Sequence, residues 1–204
     1  MTHNKKTILF LHGFFSSGQC TLARVLTDKL ADQATVLTPD LPTRPLEALN
    51  KIKELCKQQS PDMLVGNSCG AFYAQMVASE LHLPALLGNP YFMMTEFLTP
   101  RIGIHSYNAP RQDGIQSFGI DQTLIDQFAT LQPTQFDHCP TNPNGGDNIW
   151  GLFGEHDHLA HFEPLFLKHY HHAYHFPGDH TPTAQEAADY YAPLVIKMLQ
   201  QLLG

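Results

Sequence analysis

A serine bracketed by glycines is the part of the sequence best suited to covalent chemistry. Residues 66–70 form a G-x-S-x-G pattern, follow the apolar run 63–65 and open a segment of helical period. A sharp turn from a strand into a helix lifts a serine hydroxyl above the sheet, and glycines are needed where backbones crowd in that turn. We therefore predict that Ser68 is a nucleophile; the alternative is a serine that merely caps a helix.

A serine hydroxyl is a weak nucleophile until a base takes its proton and a third group orients that base. His180 follows the apolar run 172–176, and an acidic loop, 154–157, follows the apolar run 148–153. If these runs are parallel strands, both loops lie at the carboxyl edge of the sheet, where α/β folds place their sites. The chain therefore supplies the order serine, acid, histidine, which predicts His180 as the base.

Three acidic residues could orient the histidine: Glu155, Asp157 and Asp179. Asp179 adjoins His180, and neighbouring side chains on extended backbone point apart. Glu155 should still be leaving the strand, whereas Asp157 comes where the loop curls back. We predict Asp157, with a carboxylate oxygen about 2.6–3.2 Å from His180 Nδ1 and with Ser68 Oγ near Nε2.

Stabilising an oxyanion needs two backbone N–H donors, one just after the nucleophile and one from the loop after the first central strand. The first donor would be Cys69, and the second would come from residues 12–15, with Phe14 predicted and Phe15 as the alternative. The Cys69 thiol is a rival nucleophile. A residue beside the apex of such a turn projects elsewhere, however, so we expect Cys69 to pack inward.

The elements that must position these residues follow from hydrophobic periodicity. Short apolar runs alternate with segments of helical period, which is typical of βαβ units and a parallel sheet. The predicted strands are residues 7–12, 34–38, 63–66, 85–88, 148–153 and 172–176. An apolar stripe over residues 190–202 predicts the last helix. The sequence therefore predicts an α/β fold, a single domain over residues 1–204 with about six mainly parallel strands and helices on both faces.

Residues 90–147 break this rhythm by separating the fourth predicted strand from the fifth. A structureless loop of that length is improbable inside a compact domain. We predict a crossover and a modest cap there, with one helix near residues 121–131. Phe92 and Met93 follow the strand directly, so we predict that they line an apolar acyl pocket together with Phe15; the alternative is that they form the core of the excursion.

The composition narrows the range of partners. The chain has 12 basic and 19 acidic residues, a formal net charge of −7 and no cluster of Lys and Arg, so nucleic acid and anionic membranes are not expected partners. No apolar run approaches the roughly 18–20 residues of a membrane-spanning helix. The four cysteines form no C-x-x-C pair, which we interpret as free thiols in a cytoplasmic protein.

Histidines are concentrated late in the chain, where eight of the thirteen fall between His156 and His180. Two trios, at 156, 158 and 161 and at 171, 172 and 175, have spacings that could suit a transition metal. No cysteine or defined carboxylate completes a ligand set. We therefore interpret these histidines as surface residues on the exposed face of a helix and on the segment that follows it. We expect no metal and no cofactor.

Several motifs together resemble the α/β-hydrolase fold from end to end. They are Leu-His-Gly-Phe at 11–14, Pro-Asp-Leu-Pro at 39–42, the turn around Ser68, Asn89-Pro90, the loop 154–157 and the late His180. The short chain and its opening Leu-His-Gly-Phe-x-Ser-Ser at 11–17 are similar to the small bacterial YqiA/YcfP-like esterases. This resemblance implies Ser68, Asp157 and His180 as a catalytic triad, and the hydrolysis of carboxylic esters or thioesters.

The predicted reaction is acyl transfer from a small-molecule ester or thioester to water, through an acyl-enzyme on Ser68. An acyltransferase or a peptidase on the same scaffold is the first alternative, because a fold fixes neither the acceptor nor the scissile bond. A catalytically silent binding protein is the second, and a histidine-rich metal-buffering protein is the third. The sequence carries no signal of oligomeric state.

Overall fold

The structure, a computed structural model, describes residues 5–139 and 148–202. Its elements in chain order are β1 (Lys6–Leu11), α1 (Thr21–Lys29), β2 (Ala34–Leu37), α2 (Pro45–Gln59), β3 (Met63–Asn67), α3 (Cys69–Leu81), β4 (Ala85–Gly88), α4 (Met94–Leu98), β5 (Gly103–Ser106), β6 (Ser117–Ile120), α5 (Gln122–Leu131), β7 (Ile149–Gly154), α6 (Glu163–Phe166), β8 (His172–Phe176), α7 (Ala184–Glu186) and α8 (Ala192–Leu202). A π-helical segment, Ala187–Tyr191, joins α7 to α8.

Six of the strands form one parallel sheet in the order β2-β1-β3-β4-β7-β8. Successive side chains of a strand point to opposite faces, so a sheet covered on both faces needs continuous apolar runs. In β1, Ile8 and Phe10 pack on the face covered by α1 and α8, while Leu9 and Leu11 pack on the face covered by α2, α3 and α5. This is why the strands appear in the sequence as unbroken apolar runs.

The strand order also determines where a ligand can enter. β1 and β3 are neighbours, but β2 lies beyond β1 and β4 lies beyond β3, so the connections leave in opposite directions. In α/β sheets such a reversal opens a crevice at the carboxyl ends of the two strands, and ligands bind there. The loop 12–15 and Ser68 follow these two strands.

The excursion between β4 and β7 packs against the main body. It contains α4, the antiparallel pair β5–β6 and α5. On α5, the Phe128 ring contacts the rings of Phe72 and Tyr73 at centroid distances of 5.8 and 6.2 Å. The predicted division of the chain, one domain with an excursion over 90–147, stays a prediction, and residues 140–147 lie outside the described residues.

The predicted sheet is confirmed: all six strands are present, with ends within one residue of those predicted. The helix predicted near 121–131 is α5, and the stripe over 190–202 is helical, with its first two residues in the π-helical segment. All four cysteines are free thiols, as predicted. Within residues 5–139 and 148–202, no helix is both long and apolar enough to cross a bilayer.

Candidate active site

Ser68 stands at the apex of the turn from β3 into α3. Its backbone has φ 56° and ψ −120°, a conformation that L-residues rarely adopt. Built on Gly66 or Gly70, a Cβ would overlap the backbone of Gly70 or of Leu11 respectively, which explains the two glycines of the motif. The Ser68 N–H donates to Gly88 O at 2.9 Å, so the strained turn is held against the end of β4.

His180 lies between the serine and an acid. Its Nε2 is 2.8 Å from Ser68 Oγ, and its Nδ1 is 2.8 Å from Asp157 Oδ2. The His180 side chain is 14% exposed and that of Asp157 is 2% exposed, so the hydrogen bonds are shielded from water. A carboxylate only accepts hydrogen bonds, so Nδ1 carries the proton and Nε2 is left to accept from the serine hydroxyl.

The Asp157 carboxylate is stabilised in its charged form. Burial alone would raise its pKa, but the hydrogen bond from His180, the attraction to that imidazole and two amide donors together lower it. The amides are those of Leu159 and Ala160, which donate to Oδ1 at 2.8 and 2.9 Å. Oδ2 is therefore the oxygen that faces the imidazole.

The other two acids of the sequence analysis lie elsewhere. Asp179 accepts the backbone N–H of His180 at 2.6 Å on Oδ1, which directs its carboxylate away from the imidazole ring. Glu155 is exposed, and its N–H donates to Phe176 O in continuation of the β7–β8 pairing. The structure therefore places Asp157, rather than either neighbour, on His180 Nδ1.

The loop after β1 passes beside Ser68 and carries the predicted oxyanion donors. Within the described residues, the amides of Phe14 and Phe15 donate to no acceptor, so both remain open to a ligand. Cys69 begins α3, where the first amides lack partners inside the helix. Its side chain is buried, as expected, and burial raises the pKa of the thiol, which disfavours the thiolate.

His12 fixes the shape of that loop. Its Nε2 accepts the N–H of Leu41 at 2.9 Å, and its Nδ1 therefore donates to Gly13 O at 2.8 Å. Burial lowers the pKa of His12 to about 4, so the ring is neutral at neutral pH. The neutral imidazole joins the loop after β1 to the loop after β2.

A cavity of about 370 Å³ opens beside Ser68 and His180. Phe15 lines it, as predicted, together with Phe97 of α4. Residues 108–110 of the excursion and several residues of α1, Arg24 among them, also line it. Sequence reasoning missed the α1 contribution, because α1 has an ordinary amphipathic pattern with no sign of a ligand.

The structure places Phe92 and Met93 outside the cavity lining predicted for them. Phe92 is fully buried, with its ring against those of Phe136 and Phe162, and neither residue lines the cavity. Asn89, at φ 39°, lies where the chain leaves β4 and enters the excursion. Phe92 therefore follows the alternative, a core position, whereas Met93 is half-buried and its sulfur lies 3.6 Å from Gln132 Nε2.

The late histidines are dispersed over the described residues. His175 contacts Glu163 at 3.0 Å, and His169 stacks on Phe136 at a centroid distance of 4.0 Å. Among residues 5–139 and 148–202, no three His, Cys, Asp or Glu side chains are arranged to hold a metal ion.

The chain has the α/β-hydrolase fold, which it shares with solved structures of hydrolases. Est1E from Butyrivibrio proteoclasticus, solved with ferulic acid bound, is 14% identical, with a TM-score of 0.65 over 100% of this chain and 92% of that one. The esterase domain of a Rhodothermus marinus protein is 16% identical, with a TM-score of 0.65 over 96% and 86%. Mouse alpha/beta hydrolase domain-containing protein 10 is 11% identical, with a TM-score of 0.64 over 100% and 91%.

Within that class the chain belongs to a particular family. Residues 7–135, more than half of the chain, match the model of the Uncharacterised protein family UPF0227. The resemblance to the YqiA-like esterases is thereby confirmed. The matched region contains β1, the loop after it and the turn at Ser68.

Proposed function

We propose that the protein is a serine hydrolase that cleaves small carboxylic esters or thioesters through an acyl-enzyme intermediate. The observation that carries the proposal is the pair of 2.8 Å hydrogen bonds that joins His180 to Ser68 and to Asp157. An imidazole whose Nδ1–H is held by a buried carboxylate directs its Nε2 lone pair at the serine hydroxyl. This arrangement activates a serine as a nucleophile.

In the first half of the reaction, Ser68 Oγ attacks the acyl carbon while its proton passes to His180 Nε2. The carbonyl oxygen becomes an oxyanion, which the amides of Cys69 and Phe14 stabilise. The tetrahedral intermediate then collapses, the bond to the alcohol or thiol breaks, and the leaving group takes the proton from Nε2. Asp157 stabilises the imidazolium that forms between these two transfers.

In the second half, water takes the place of the leaving group. His180 Nε2 removes a proton from the water, the oxygen attacks the acyl carbon, and the acid product leaves as Ser68 Oγ regains its proton. The same steps with an alcohol or amine in place of water would make the enzyme an acyltransferase, so the choice of acceptor is part of the proposal.

The size of the cavity supports a small substrate. A volume of about 370 Å³ lies near the lower end of small-molecule sites, and Phe15 and Phe97 give it apolar walls. Est1E, the structural neighbour with bound ferulic acid, has a small acid as its ligand. We therefore expect short and medium acyl chains to be cleaved faster than long ones.

The proposal is tested with chromogenic esters of increasing acyl length and with a fluorophosphonate, which labels activated serines. Wild-type protein should turn over the shorter esters and carry one adduct, found on Ser68 by mass spectrometry. Ser68→Ala should lose both turnover and labelling and keep the wild-type fold, because only a hydroxyl is removed.

Ser106→Ala is the matched control, since Ser106 lies exposed on β5 and should keep both activities. Turnover that persists in Ser68→Ala, or an adduct on another residue, would refute the proposal. Rates that rise steadily with acyl length would refute the small-substrate part alone.

A further inference from the structure

The Asn89 side chain joins the two loops that carry the acid and the base. Its Oδ1 accepts the N–H of Gly154 at 2.7 Å, where β7 ends and the acid loop begins. Its Nδ2 donates to the carbonyl oxygens of Asp179 and His180, both at 3.0 Å. Asn89 itself is 1% exposed, so its amide meets these partners from a buried position.

The position of Asn89 directly after β4 explains how its side chain contacts both loops. Asn89 follows β4, which lies between β3, ending beside Ser68, and β7, leading to Asp157. Its backbone N–H donates to Leu152 O at 2.8 Å, so the residue is anchored to β7. The φ of 39° then turns the side chain toward β8; asparagine tolerates such a conformation better than most residues.

The chemistry of the side chain matches what the two loops offer. They present one N–H and two carbonyl oxygens, which need one acceptor and two donors from a single group. A primary amide has this combination, whereas a carboxylate has acceptors alone. A carboxylate at this position would face the carbonyl oxygens of Asp179 and His180 with like partial charge.

We propose that Asn89 is a positioning residue for the reaction, which holds the His180 backbone at the distance from which its ring reaches both Ser68 and Asp157. This inference rests on the proposed function. Ladder bonds such as His156 N to Gly178 O already join the two loops. The Asn89 amide adds the attachment at His180 itself, and errors of about 1 Å in such placement can cost about 100-fold in rate.

Asn89→Gly is the sharpest variant, because glycine adopts a φ of 39° without strain and only the amide is lost. Ser60→Gly is its matched control, because Ser60 also has a positive φ, 45°. Ser60 is exposed at the C-terminal end of α2, and it is distant in sequence from both loops. We expect kcat of Asn89→Gly to fall about 10- to 100-fold with KM changed less than about twofold. Ser60→Gly should keep wild-type values.

Asn89→Asp separates the two halves of the contact, since it keeps an acceptor for Gly154 and loses the donors to the histidine loop. We expect its kcat to be at least as low as that of Asn89→Gly. The rate of fluorophosphonate labelling should fall in parallel in both variants. Urea unfolding verifies that each variant is native under assay conditions; if Asn89→Gly is not, Asn89→Asp alone provides the comparison.

A native Asn89→Gly with wild-type kcat and labelling rate would overturn the inference. A variant whose KM rises while its kcat stays at the wild-type value would also overturn it. Wild-type activity in Asn89→Asp would also overturn it, because the donors would then be dispensable. Failure of the proposed function looks different: wild-type protein itself would neither turn over esters nor take up the fluorophosphonate.

Discussion

At the scale of single residues, the role of Asp157 can be tested by replacing one oxygen of its carboxylate. Its Oδ1 faces two amide donors and its Oδ2 faces His180 Nδ1. In Asp157→Asn the amide oxygen would stay on those donors, so the NH₂ would face Nδ1 and force the proton onto Nε2. That tautomer cannot accept from Ser68, so we expect kcat to fall about 10⁴-fold, as in the serine-protease template.

Glu155→Gln and Asp179→Asn are the controls for that prediction, because each removes one carboxylate charge from the same two loops. Neither carboxylate contacts the imidazole ring, so we expect both to lose little activity in the same ester assay. A severe loss in either control, with Asp157→Asn active, would reassign the acid and leave the Ser68–His180 pair in place.

His12 should make stability depend on pH. Its pKa is about 4 in the folded protein and near 6.5 when exposed, so between these values the unfolded chain binds the proton and the folded protein does not. The stabilisation is complete above about pH 6.5 and is lost as pH falls to 4, by about 3 kcal/mol in total.

Urea unfolding measured between pH 6.5 and 4 checks this prediction. The free energy of unfolding should fall less steeply with acid in His12→Gln than in wild type, whatever that variant costs at neutral pH. His82→Gln, which changes an exposed histidine, should keep the wild-type slope. Identical slopes for His12→Gln and wild type would show that His12 is not held neutral by the fold.

At the scale of elements, the strands of the main sheet were predictable and the two strands within the excursion were not. A strand buried on both faces needs an unbroken apolar run, and β1, β3 and β7 each have one. The pair β5–β6 consists of four-residue strands that include glycines and serines, with few of the β-branched and aromatic residues that mark strands in a sequence. These strands are specified by tertiary contacts instead.

The same distinction applies to the site. Ser68 and His180 were predictable because each follows an apolar run in a fixed order, and the curl of a loop sufficed to favour Asp157. The role of Asn89 was not predictable, because Asn before Pro is a common turn signal and its three partners come from loops distant in the sequence. The apolar character of Phe92 suited a pocket and a core equally, and only the tertiary contacts with Phe136 and Phe162 distinguish the two.

At the scale of the whole molecule, charge is unevenly placed around the site. The chain has a net charge of −7, yet the described residues that line the cavity include Arg24 and no acid. Within the described part of the chain, Arg24 forms no ion pair. An unpaired guanidinium at the wall of a cavity that no acid lines favours a ligand that carries a negative group.

We therefore expect an ester with a carboxylate on its acyl chain to depend on Arg24, while its neutral amide counterpart does not. Because Arg24 is exposed, the contact should be worth about 0.2–1 kcal/mol, so Arg24→Gln should lower kcat/KM by about 1.4- to fivefold for the charged ester alone. Added salt should shrink this difference, since it screens exposed charges. Lys29→Gln, the same loss of charge on α1 outside the cavity lining, should leave both esters unchanged. Equal losses on the charged and neutral esters in Arg24→Gln would mean that Arg24 acts by shape rather than by charge.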